Sequence, residues 1–103
     1  MIRHLVALRF KPGTSDAAKA TLMDELEGLR GHIDGIIDFQ VRANVSVEDE
    51  MVRGFRDLFW FDFRDTAVRD VYLDDTVHQQ IGARLVDALE GGPEGVFVLD
   101  FKL

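Results

Sequence analysis

The chain predicts an α+β fold, a four-stranded antiparallel sheet carrying its helices on one face. Three observations lead there. Apolar periodicity alternates between two and about 3.6 residues in the order strand, helix, strand, strand, helix, strand. The stretch from Gly54 to Phe63 is aromatic on both parities. Phe55, Asp57, Phe59, Phe61 and Phe63 lie on one face, and Arg56, Leu58, Trp60 and Asp62 on the other, so both faces need cover. Finally, 103 residues make one domain the expectation, spanning 1–103.

Each element follows from its own pattern. In the first strand Ile2, His4, Val6, Leu8 and Phe10 share a face, opposite Arg3, Leu5, Ala7 and Arg9. Pro12-Gly13 ends it as a turn pair. Thr14, Ser15 and Asp16 are candidate caps for a helix whose stripe is Ala18, Leu22, Leu26, Leu29 and Ile33. Gly31 and Gly35 bracket its end. A second strand, Ile36 to Ala43, sets Ile37, Phe39 and Val41 against Asp38, Gln40 and Arg42, and its polar face suits a sheet edge. Asn44 to Arg53 is expected to be a loop, and the aromatic strand follows it. Asp65 and Thr66 open a helix carrying Val68, Val71 and Tyr72. After an interruption at Asp74 to Val77, a further helix carries His78, Ile81, Leu85 and Leu89. Gly91-Gly92-Pro93 breaks the chain before a last strand, Val96 to Leu103.

This order is the ferredoxin-like βαββαβ arrangement, with both helices on one face. The other face is expected to expose residues such as Val6, Leu8, Phe59 and Phe61, too apolar a patch for a monomer, although periodicity alone does not fix which parity faces inward. A homodimer with the two sheets facing each other in a barrel is the economical solution. Composition narrows the partners. Hydrophobic and charged fractions of 47% and 30% are those of a soluble globular protein. A net charge of −7 argues against nucleic acid or an anionic membrane surface. The absence of cysteine removes disulfides and thiolate chemistry. No long apolar segment reads as a signal peptide or transmembrane helix, so the cytoplasm is the expected compartment.

Few residues carry chemistry. There is no glycine-rich phosphate loop, nucleophile-elbow serine or dinucleotide fingerprint. His32, near a helix end, reads as structural or exposed. His4 lies on an apolar strand face, where histidine is commonly a hydrogen-bonded core residue. His78 and Tyr72 both point inward, six residues apart across the helix interruption. They suit a proton-transfer pair, with tyrosine donating to an oxyanion, or a pair that ties the interrupted helix together. Asp57 is the one charge on its strand face, so it needs a partner, a histidine or Arg56, or a place at the rim. His4, His78 and Asp57 match no metal-ligand spacing, and no metal site is expected.

Met1-Ile2-Arg3-His4-Leu5-Val6 with Phe10-Lys11-Pro12-Gly13-Thr14, Asn44-Val45-Ser46, Tyr72 and His78, and Val98-Leu99-Asp100-Phe101 together resemble the stress-responsive dimeric α/β-barrel family, over essentially the whole chain. The resemblance implies a ferredoxin-like homodimer. The best understood member is a plant polyketide cyclase that closes a poly-β-keto chain by an aldol step without metal or organic cofactor. Its catalytic tyrosine and histidine resemble Tyr72 and His78, and a cavity histidine resembles His4. The same resemblance implies that Val6, Leu8, Asp57, Phe59 and Phe61 lie inside the barrel, with Leu22 and Leu26 lining the pocket. Where the family commonly reads His-Pro-x-His, this chain has Asp75-Thr76-Val77-His78. The expected function is therefore binding of a small apolar carbonyl compound, with cofactor-independent cyclase or isomerase chemistry. The alternatives are a non-catalytic stress-associated dimer and a cofactor-free monooxygenase, a class that shares the dimeric architecture.

Overall fold

The computed structural model describes all 103 residues. Four strands, β1 (Ile2–Leu8), β2 (Ile36–Ala43), β3 (Asp57–Phe63) and β4 (Val96–Lys102), form one antiparallel sheet in the order β2-β3-β1-β4. The helices are α1 (Asp16–Glu27), a single turn α2 (Asp49–Val52), α3 (Thr66–Asp74) and α4 (Thr76–Asp87). No helix is long and apolar enough to cross a membrane.

Local chemistry sets the boundaries. The Ser15 hydroxyl accepts from Ala18 N at 3.1 Å and starts α1, and Asp65 accepts from Val68 N at 3.0 Å and starts α3. The predicted first helix is shorter than its stripe. It ends at Glu27, and Gly28–Gly31 tightens into a 3-10 turn that still buries Leu29. Gly35 turns the chain into β2 at φ 94°, and a β-carbon there would lie 2.5 Å from Val68 Cγ2, so only glycine lets β2 enter beside α3.

Three local expectations need correction. The segment from Asn44 to Arg53 contains the helical turn α2. The aromatic strand begins at Asp57, because Val52 to Arg56 is taken up by a turn in which Phe55 N donates to Val52 O. Val71, expected to face inward with Val68 and Tyr72, is 57% exposed.

The largest correction concerns the sheet faces. Register pairs His4 with Phe61, Val6 with Phe59 and Leu8 with Asp57. Val6, Leu8, Phe59 and Phe61 are all buried in one core with Leu22, Leu26, Tyr72, Ile81 and Leu85. They lie beneath the helices and are not the uncovered face. The open face is the opposite parity: Leu5, Ala7, Leu58 and Trp60 in the centre, with Phe97, Leu99 and Phe101 on β4. An alternating pattern says which residues share a face. Which face the helices cover is decided by how the connections cross the sheet.

Candidate functional site

The interruption between α3 and α4 builds the centre of the site. Asp75 has extended backbone at ψ 128° and closes α3. Its carboxylate then caps α4, accepting from His78 N at 2.8 Å, and also meets His32 Nε2 at 2.7 Å. His32 is thus a latch between the end of the first helix and the α3–α4 joint. The bend folds His78 back over Tyr72, and the two rings lie 3.8 Å apart between centroids at 32°. The two side chains do not hydrogen-bond to each other; they meet through tilted ring faces. His78 is half-buried, with Nδ1 enclosed and without a partner.

His4 reaches the same cluster from β1. It meets the Tyr72 ring edge-on at 5.4 Å. Its Nδ1 lies 2.6 Å from Asp100 Oδ1 on β4. A carboxylate can only accept here, so Nδ1 carries a proton toward Asp100. Arg69 Nη1 donates to the other Asp100 oxygen at 3.2 Å. Asp100 and Arg69 were not singled out from the sequence. One signal was available for Asp100: it is the lone carboxylate on the parity of Val96 and Val98, and the register sets it opposite His4.

Burial tunes this group. Desolvation holds the His78 imidazole below its ordinary pKa, with the nearby charge of His4 acting in the same direction, so the ring favours its neutral, basic form. Desolvation also pushes the Tyr72 phenol well up, helped by the Asp100 charge. Tyr72 is therefore a proton donor across the whole physiological range.

Asp57 does not belong to this group. It stands four residues from Phe61 along β3, roughly 13 Å away at strand rise. Its carboxylate accepts from Lys19 Nζ at 3.1 Å, so the expected histidine or Arg56 partner is replaced by a lysine of α1. Asp57 and Leu8 line a cavity of about 370 Å³ at that end of the sheet. The rest of the expected pocket lining (Val6, Leu22, Leu26, Phe59 and Phe61) is close-packed core. None of the five main cavities is lined by His4, Tyr72 or His78.

A ferredoxin-like sheet with a histidine–tyrosine centre beneath its helices defines the class of protein. The sequence model of the stress-responsive A/B barrel domain matches residues 2–103, and the chain belongs to that family. Among solved structures it is similar to a dimeric ferredoxin-like protein of unknown function from Jannaschia sp. CCS1, with 26% identity and a TM-score of 0.87, covering 99% of this chain and 98% of that one. An Arabidopsis thaliana protein is 21% identical with a TM-score of 0.88, covering 100% of this chain and 95% of that one. A hydroxynitrile lyase from Passiflora edulis is 16% identical with a TM-score of 0.82, covering 99% and 92% respectively. The last two show the shared fold alone. No curated protein matches the chain.

Proposed function

We propose that the protein is a homodimer, its open sheet faces packed together, and that His4, Tyr72 and His78 form a proton-transfer centre acting on a small carbonyl compound without a cofactor. The observation that carries the catalytic half is the ring contact at 3.8 Å between a half-buried His78, whose desolvation favours the neutral imidazole, and a buried Tyr72 whose phenol stays protonated. In the proposed step His78 removes a proton α to the carbonyl and Tyr72 donates toward the developing enolate oxygen. Asp100 orients His4, and His4 relays the proton. The enolate so formed would attack a second carbonyl in a cyclase, or be reprotonated in an isomerase.

Deuterium exchange into acetylacetone or a comparable diketone, followed by NMR in D2O, tests the step directly. Exchange should exceed the buffer rate, and His78→Ala should reduce the enzymatic part by about 100-fold or more. Exchange that is unchanged in His78→Ala ends the assignment.

The dimer is supported by the apolar open face, where Phe97, Leu99 and Phe101 are 54%, 47% and 42% exposed. Solved relatives such as the Jannaschia protein are dimers. Light scattering at micromolar concentration should give twice the chain mass; a monomer would remove this part of the proposal.

The packed interior favours a second reading, a non-catalytic dimer whose polar core groups serve the fold. Phe61 and Phe63 pack on Tyr72 at 5.0 and 5.1 Å, and none of the five main cavities reaches it. On that reading Tyr72→Phe and His78→Ala lower stability by about 1–3 kcal/mol and deuterium exchange stays at the buffer rate.

A further inference from the structure

The 370 Å³ cavity at the far end of the covered face shares no residue with the His4–Tyr72–His78 centre. Its size falls within the range of small-molecule sites. Leu8, Phe10 and Met23 give it an apolar wall, and its polar lining is Lys19 with three carboxylates, Asp16, Asp24 and Asp57. Lys19 Nζ donates to Asp57 Oδ2 at 3.1 Å and lies 5.2 Å from the centre of the Phe10 ring. The structure thus shows an ammonium seated between a carboxylate and an aromatic face, at the mouth of an apolar chamber.

That is the chemistry that recognises an organic cation. The carboxylate offsets the charge, the ring face attracts it, and the apolar wall takes the body of the molecule. Three carboxylates against one ammonium make the lining unfavourable for an anion, and the net charge of −7 steers cations toward the protein. Lys19 also has somewhere else to go. Asp16 lies three residues earlier on the same helix, the spacing at which opposite charges pair.

We propose that this cavity binds a hydrophobic primary amine, whose ammonium takes the seat between Asp57 and Phe10 while Lys19, its tethered occupant, swings to Asp16. Lys19 then competes with the ligand and Asp57 binds it, so the two members of one ion pair have opposite effects on affinity. A site for an anion, or a purely apolar site, would not show that sign pattern.

Calorimetric titration with octylammonium, and with octanoate and octanol as matched probes of the same chain length, tests it at neutral pH and low ionic strength. The wild-type protein should bind octylammonium in preference to both other probes. Lys19→Met should tighten octylammonium binding by about tenfold, and the isosteric Asp57→Asn should weaken it by at least about tenfold. Preference of the wild type for octanoate or octanol overturns the proposal without any variant. So does octylammonium binding that weakens or stays unchanged in Lys19→Met, or that survives intact in Asp57→Asn. The outcome is independent of whether His78 transfers protons.

Discussion

At one end of the helix-covered sheet face, Tyr72, Phe61, Phe63 and His78 leave no room between them, and the polar groups are drawn into Asp100 and Arg69. At the other end, on the same two central strands, Asp57 and Lys19 stand half-exposed at the mouth of an open cavity. The two ends differ in what pays for burying a charge. His4 is 5% exposed and keeps its polarity because a neighbouring strand supplies a carboxylate. Asp57 keeps water as well as its lysine, so the space around it need not close. The closed end excludes water from its polar groups, and the open end leaves its ion pair in contact with water.

Disrupting the closed end should produce the largest change. Phe61 is fully buried and contacts Phe39, Phe59, Phe63 and Tyr72, so Phe61→Ala should cost about 3–5 kcal/mol in urea unfolding. A loss below about 1 kcal/mol would mean that this end is not close-packed. Next comes the contrast between the two carboxylates. Asp100→Ala leaves the buried His4 Nδ1 without its partner, while Arg69 keeps Asp70, for a loss of about 1–3 kcal/mol. Asp57→Ala removes a half-exposed pair and should cost less than about 1 kcal/mol. Equal losses in the two variants would erase the distinction between the ends.

The smallest expected effect is one of pH. The folded pKa of His78 lies below its unfolded value, so the unfolded chain takes up this proton first. The contribution is complete above about pH 6.5 and is lost progressively as pH falls from there through the folded pKa. His78→Gln, which cannot titrate, should flatten that part of the stability profile, and an unchanged acid slope would show that His78 is not the group responsible. An NMR titration of the wild type should place the His78 midpoint below that of an unstructured histidine.

Much of the fold is legible in the sequence. Alternation marks β1 and β2, the Leu22–Leu26–Leu29 stripe marks the first helix, and Asp65 marks the start of α3. Tyr72 and His78 are also recognisable as an inward pair. What the sequence does not show is the partner of each polar residue. His4 finds Asp100 across 96 residues of chain, and Asp57 finds Lys19 across 38, in both cases through sheet register and helix docking.

From the residues alone come the βαββαβ order, one apolar-rich strand that needs cover on both sides, and a small set of polar groups with nowhere to go but inward. These follow from local periods and from the cost of exposing apolar surface or burying charge. The tertiary structure decides which parity of β1 and β3 lies beneath the helices, that Tyr72 and His78 meet through tilted ring faces, and that Asp57 lies at the opposite end from His4. A period of two is symmetric between the faces of a strand, so choosing between them requires the crossing of α1, α3 and α4 over the finished sheet.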